Sequence, residues 1–257
     1  DKNLKNFELE KKEKLKSEQI IKSLKINFCK NKVVTVHLRD DQYLNNFDNK
    51  NDWSYTNYRN VDINNYLKTV NYLQEKGYFV VRTGNGSNQK FSSSKINEDF
   101  FLDLNFVDKN RDLIELYTMS ISKFFIGTDS GGSCMPLFMY KIPTLFTNLV
   151  SISDFHSCLK SHIIFKKIYS NENKKFLNLD EIFNNDLDFL WDPKNKILNK
   201  YKIIDNDEDE IFNAVKELEN KVLQNSFVDQ SKLSLKFKSN YKFLFDNKYP
   251  NHKWHGD

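Results

Sequence analysis

Phe124-Phe125-Ile126-Gly127-Thr128-Asp129-Ser130-Gly131-Gly132-Ser133 is the stretch that decides the fold. Its first four residues form a short apolar run, as expected of a strand buried on both faces. Hydroxyls, a carboxylate and paired glycines follow at once, and a helix is expected over 132–140. A strand that turns into a helix in this way offers backbone N–H groups to an anion, and the glycines let a phosphate come close to the chain. The plainer alternative is a tight turn with Ser133 as N-cap. A Walker loop is excluded because no G-K-[ST] follows, and the G-x-G-x-x-G fingerprint is absent.

The same alternation recurs on both sides. Val33-Val34-Thr35-Val36-His37-Leu38 reads as a strand ending in Arg39-Asp40-Asp41. A helix is expected over 61–76, with Asp62 as its cap and Gly77 as its stop. Residues 78–82 form a second strand closed by Thr83-Gly84, and residues 85–97 a mobile polar loop. A helix over 110–123 leads to the strand at 124–127, and 142–146 is a fourth strand. Strands alternating with helices predict βαβ units, hence an α/β fold with a Rossmann-like parallel sheet flanked by helices. The pattern weakens after Asn148, with partial helix over 177–189 and strong helix over 207–223. The domain expectation is a linker or docking helix over 1–30, the Rossmann-like domain over 31–225 and a C-terminal aromatic, basic segment over 226–257.

Composition bounds the classes. Of 257 residues, 39% are hydrophobic and 14% aromatic, with only seven Gly and four Pro, which excludes a disordered or collagen-like chain. No apolar run approaches the length of a membrane-spanning helix. Lys and Arg number 39 against 35 Asp and Glu, a surplus of +4 that reads as spread along the chain. Nucleic-acid binding is not expected on that basis, and the basic aromatic end reads as a segment packed back on the domain. Alanine occurs once, at Ala214, while Lys, Asn, Ile and Phe abound, as an AT-rich coding sequence would give. Cys29, Cys134 and Cys158 form no C-x-x-C pair, which argues against a disulfide framework and for a reducing compartment. Cys134 reads as a packing residue, and the Asn85-Gly86-Ser87 sequon carries no weight. The chain opens on Asp1 without a Met or signal segment, so a fragment is expected.

In an open parallel sheet, ligands bind beyond the carboxyl ends of the strands. The polar residues expected there are His37, Arg39 and Asp40; Arg82 and Gly84; and Thr128 through Ser133. Arg39 can offer a planar fork to a phosphate, or pair with Asp40, Asp41 or Asp129. His37 is either a ligand contact or a satisfied core histidine.

The strings Val36-His37-Leu38-Arg39-Asp40, Tyr58-Arg59-Asn60-Val61-Asp62-Ile63, Val80-Val81-Arg82-Thr83-Gly84 and Phe125 through Ser133 stand in this order and spacing. Together they resemble a family of bacterial glycosyltransferases of surface-polysaccharide and lipopolysaccharide gene clusters. The resemblance covers about residues 30–150. More distantly, the H-x-R and T-D-S elements resemble those of O-fucosyltransferases, which are GT-B enzymes. It implies the donor-binding lobe of a GT-B enzyme in the cytoplasm, at the inner face of the membrane where it associates peripherally. It further implies a nucleotide-sugar donor, a glycan or lipid-linked acceptor and no metal or other cofactor. Arg39 would hold the pyrophosphate, and Tyr58, Arg59, Asn60, Arg82, Gly84, Thr128, Asp129, Ser130, Gly131, Gly132 and Ser133 would line the donor cleft. His37, Asp40 and Asp41 are the candidate bases, unless the base stands on a first lobe. Three alternatives stay open: a nucleotide-sugar epimerase or hydrolase, a non-catalytic nucleotide- or glycan-binding lobe, and a metal-dependent GT-A enzyme using Asp205-Asn206-Asp207. Helix capping explains that last triplet better.

Overall fold

The computed structural model describes residues 7–24, 28–84, 86–107, 109–153, 160–190, 200–227 and 232–250. The expectations for residues 1–6 and 25–26 of the first helix, and for Asn85, Cys158 and Trp254, lie outside these. In chain order the elements are α1 (Lys11–Ser23), β1 (Val33–His37), α2 (Gln42–Phe47), α3 (Leu67–Glu75), β2 (Phe79–Thr83) and β3 (Phe101–Asp103). Next come α4 (Arg111–Ile121), β4 (Phe124–Gly127), α5 (Cys134–Met139), β5 (Thr144–Leu149) and β6 (Ser161–Phe165). The chain continues with β7 (Lys167–Ser170), β8 (Lys175–Phe176), α6 (Leu179–Asn184), β9 (Tyr201–Ile204), α7 (Glu208–Gln224) and α8 (Lys232–Lys248).

Six strands form one sheet in the order β3-β2-β1-β4-β5-β6, every neighbouring pair parallel. This is the doubly wound order of dinucleotide-binding sheets, in which the winding reverses between β1 and β4. The two faces follow from strand periodicity. Val34, Val36 and Val80 point to the side covered by α3 and α7, where they join Leu73, Ile211, Val215 and Leu218. Val33, Phe79 and Val81 point to the side of α1 and α4, with Ile21, Ile114 and Tyr117. On that second side Thr35 hydrogen-bonds the Ser122 hydroxyl at the end of α4.

Several elements differ from the sequence expectation. The helix expected from Val61 begins at Leu67, because Asp62 caps a 3-10 turn over Ile63–Tyr66 instead of the helix itself. The loop after β2 is anchored: Phe91 is buried in the core, and Gln74 exchanges two hydrogen bonds with the Asn97 backbone. The 132–140 helix is a 3-10 turn at Gly131–Ser133 followed by α5. β3 and β6 were not anticipated, nor was the antiparallel sheet of order β8-β7-β9 inserted between β6 and α7.

The Asp205-Asn206-Asp207 triplet is structural. Asp205 pairs with buried Lys166 at 2.7 Å. Asn206 and Asn148 exchange backbone-to-side-chain hydrogen bonds of 2.8 and 2.7 Å. Asp207 caps α7 in a reciprocal capping box with Glu210. With all three side chains committed, the metal-binding reading of this triplet is set aside. A second, smaller core gathers Val150, Ile152, Ile168, Ile182, Phe183, Leu187 and Tyr241, and so seats α8.

Candidate functional site

Both segments that leave the sheet at its switch point line one cleft of about 460 Å³. From the end of β1 come His37, Leu38, Arg39 and Asp40, with Tyr43 and Leu44 of α2. From the end of β4 come Ser130, Gly131 and Gly132. Gly84, Ser87 and Asn105 wall the β2–β3 side, Arg59 stands at the mouth and Glu115 projects from α4.

Thr128 ties the two segments together. Its buried hydroxyl accepts from the Arg39 backbone N–H at 2.9 Å and donates to the His37 carbonyl at 3.3 Å. The Arg39 guanidinium turns toward the Ser54–Arg59 turn, where it donates to the Thr56 carbonyl, the Thr56 hydroxyl and Asn60 Oδ1 at 3.0–3.1 Å. All three acceptors are neutral. The three carboxylates proposed as Arg39 partners bond elsewhere: Asp129 pairs with Arg59 at 2.8 Å, Asp40 accepts from the Gln42 backbone N–H, and Asp41 accepts from the Gln42 side-chain amide. Burial and the neighbouring Arg59 charge pull the Arg39 guanidinium down to about 10. A cation held by neutral groups beside a second cation favours an incoming anion.

His37 is half-buried at the cleft and donates from Nδ1 to the Thr83 hydroxyl at 3.1 Å, since that hydroxyl itself donates to the Val36 carbonyl. Nε2 then carries the lone pair. Burial, with Arg82 and Arg39 nearby, pushes the imidazole down to about 4, so it is neutral at pH 7. A Cβ on Gly132 would stand 3.2 Å from imidazole Cε1 and 3.4 Å from Nε2. Glycine at 132 therefore lets the β4 turn close against the ring.

Glu115 was not singled out from the sequence. It lies one helical turn before Thr118, whose carbonyl accepts from Thr35. His37 lies one step beyond Thr35 on the same side of the strand, so the carboxyl and the imidazole stand on the same side of the sheet and both reach the cleft. Burial is the main cause that pushes the Glu115 carboxyl up to about 7, against the pull of Arg111. Asp40 contributes a second feature: among the described residues its Oδ2 is buried and lacks a partner. So does Arg59 Nε.

Other anticipated residues stand elsewhere. Arg82 is almost fully buried and absent from the cleft wall; it pairs with Asp103 at 3.0 Å and holds the Gln89 carbonyl and Ser87 hydroxyl. The register explains this, because Thr83, not Arg82, pairs with His37 across the sheet. Arg82 thus belongs to the opposite face, and the expectation of a phosphate contact from it is corrected. Tyr58 donates to the Leu190 carbonyl at 2.6 Å and, with Asp129, lines a separate small pocket. Asn60 braces Arg39 from outside the cleft, and its carbonyl accepts from Lys166. Ser133 is buried; its hydroxyl bonds Ser130 at 3.1 Å and makes no capping bond to α5. Among the described residues no group of three or more His, Cys, Asp or Glu is placed to hold a metal ion.

No protein-family model matches this sequence, and no curated protein matches it. Solved structures do. ADP-heptose lipopolysaccharide heptosyltransferase II of Escherichia coli shares 13% identity over 86% of this chain and 54% of that one, at a TM-score of 0.44. A glycosyl transferase family 9 protein of Veillonella parvula shares 10% identity, covering 85% of this chain and 54% of that one, at 0.46. TibC of enterotoxigenic E. coli, an iron-containing dodecameric heptosyltransferase solved with ADP-D-beta-D-heptose, shares 16% identity over 79% and 47% of the two chains, at 0.39. The chain spans about half the length of each. At such scores the similarity is one of general chain path, and the functional reading rests on the cleft.

Proposed function

We propose that the chain is the nucleotide-sugar-binding lobe of a GT-B-like glycosyltransferase. It would move a sugar from a nucleotide-sugar donor to a glycan or lipid-linked acceptor in bacterial surface-polysaccharide synthesis. The observation that carries this reading is Arg39. Its guanidinium is part-buried and braced by neutral acceptors, beside Arg59, and Arg39 lines the switch-point cleft together with the Ser130–Gly132 turn. A diphosphate suits that arrangement. As the sugar bond breaks, charge grows on the departing nucleoside diphosphate, and Arg39 and Arg59 would stabilise it where it develops.

The acceptor hydroxyl needs a group to take its proton. Neutral His37, held near 4, is a weak base at pH 7. Glu115, near 7, is matched to the task. Asp40, with one oxygen unpartnered, would orient the hydroxyl. Glu115 thus takes the role first sought among His37, Asp40 and Asp41.

The test is calorimetric titration of the chain with UDP, GDP, CMP, ADP and their sugars, on wild type and Arg39→Ala, with thermal unfolding measured in parallel. The reading expects one nucleoside diphosphate to bind, with affinity lowered at least tenfold in a variant that still unfolds in one cooperative transition, at a melting temperature lowered by the loss of the Thr56 and Asn60 bonds. Hydrogen bonds to charged groups contribute about 1.5–3 kcal/mol, which sets that factor. Failure of every nucleotide to bind a well-folded chain would overturn it. A bound donor that is hydrolysed at the same rate with or without sugar acceptors would favour the hydrolase alternative.

A further inference from the structure

The short helix α2 carries aromatic rings from the cleft out to solvent. Tyr43 lines the cleft, and Phe47 stands one turn further on the same face. Their rings lie 6.1 Å apart at 18° to each other, and the two residues are 50% and 75% exposed. A second pair follows, half-buried Trp53 and exposed Tyr55, with rings 6.1 Å apart at 32°. Trp53 Nε1 donates to the Asp48 carbonyl at 2.9 Å, which brings this pair back to the end of α2.

The segment between is held in place. Asp48 accepts from the Lys50 backbone N–H and the Asn51 side-chain amide, and Asp52 accepts from the Ser54 backbone N–H. Thr56 donates from its backbone N–H and its hydroxyl to the Trp53 carbonyl, both at 2.9 Å. The same residue accepts from Arg39 at its carbonyl and hydroxyl. The turn that braces the guanidinium therefore also carries the second ring pair.

Exposed rings gathered on so short a segment mark a contact surface. Its charge narrows the partner. Over residues 43–55 one lysine, Lys50, stands against Asp48 and Asp52, and Asp40 and Asp41 precede them. A nucleic acid or an anionic lipid would find no cluster of cations there. Asn45, Asn46 and Asn49 are exposed beside the rings. Rings flanked by neutral amides suit a ligand that is apolar on its faces and hydroxylated at its rim. A pyranose is such a ligand: its C–H groups pack on an aromatic face, and its hydroxyls exchange hydrogen bonds with amides. We infer that Tyr43, Phe47, Trp53 and Tyr55 form a subsite for a neutral glycan chain running outward from the cleft. The inference rests on the proposed function only in naming that chain as the outer part of the acceptor.

The test is retention of the full chain, without nucleotide, on immobilised neutral oligosaccharides of glucose, galactose, mannose and rhamnose, beside acidic hexagalacturonate. Wild type is expected to bind at least one neutral chain and not hexagalacturonate, with little change as salt rises. Phe47→Ser should weaken binding about tenfold, the scale of one aromatic contact, and Phe47→Trp should keep it. Phe47 does not line the cleft, so nucleoside diphosphate affinity should be the same in Phe47→Ser as in wild type. The position is exposed, and equal melting temperatures would confirm that the fold is kept. Absence of binding to every neutral oligosaccharide, preference for hexagalacturonate, or binding indifferent to both Phe47→Ser and Tyr43→Ser would overturn the inference. So would a loss of nucleotide affinity in Phe47→Ser, which would make the rings a nucleobase stack. Ring-dependent glycan binding by a chain that binds no nucleotide would remove the transferase reading and leave the subsite standing. Nucleotide binding without glycan binding would remove the subsite alone.

Discussion

Replacing Glu115 by Gln removes one titration from the cleft and leaves the shape of its wall. In the folded chain burial favours the neutral carboxyl, so the group moves from 4.5 to about 7. The folded state then keeps a proton that the unfolded chain gives up. The stabilisation is complete below about pH 4.5 and is lost as pH rises through about 7. At about 1.4 kcal/mol per pH unit the full displacement corresponds to about 3 kcal/mol. The carboxyl faces an open cleft, and hydration there reduces the expected cost of its ionisation to about 1–2 kcal/mol. Glu115→Gln stays neutral at every pH. It should match wild type near pH 4 and melt about 2–8 °C higher at pH 8, at about 2–4 °C per kcal/mol for a chain of this size. Scanning fluorimetry of both proteins in one set of buffers from pH 4 to 9 measures the difference directly. A melting-temperature difference that does not vary with pH would refute the reasoning, because it would mean that the carboxyl titrates alike in both states.

Other consequences concern the frame of the site. Arg82→Met should destabilise by about 3–5 kcal/mol in urea unfolding, because it leaves Asp103, the Gln89 carbonyl and the Ser87 hydroxyl without their partner. Gly127→Ala should cost about 1–3 kcal/mol, since a Cβ there would stand 2.6 Å from the Ser133 hydroxyl and 2.7 Å from the Phe125 ring; an unchanged unfolding midpoint would show that the turn yields freely. Asp188→Ala should loosen the seat of α8, where Lys248, Tyr249 and Ser153 converge on that buried carboxylate, with faster amide exchange over 241–248 as the readout.

The parallel sheet was legible because β1, β2, β4 and β5 are buried on both faces and read as apolar runs with polar ends. β3 has only three residues, and β6 is an edge strand whose five residues are all half-buried, so neither gave a comparable run. The antiparallel β7 alternates half-buried with buried positions and β9 half-buried with exposed ones, in segments of only four residues, too short for periodicity to separate from loop. At the site, the residues immediately after β1 and β4 were found because strand ends mark where a ligand binds. Arg82 was misplaced by the same rule: being near a strand end does not say which face a side chain takes, and register does. Glu115 gave no signal, since a lone carboxylate on an amphipathic helix reads as solvent-facing until the helix is packed on the sheet. Asp205 through Asp207 show the reverse case, in which an acidic pattern with a familiar spacing serves as a cap and two clasps.

α8 carries five lysines against one aspartate, and that net charge bears on how the protein behaves at high concentration. A chain ending at residue 231 would keep both faces of the parallel sheet but carry equal numbers of acidic and basic side chains. At neutral pH such a protein sits close to its isoelectric point, where repulsion between molecules is weakest and precipitation is favoured. The helix thus tips the charge balance of the chain, and shortening the chain there would remove the net repulsion between its copies.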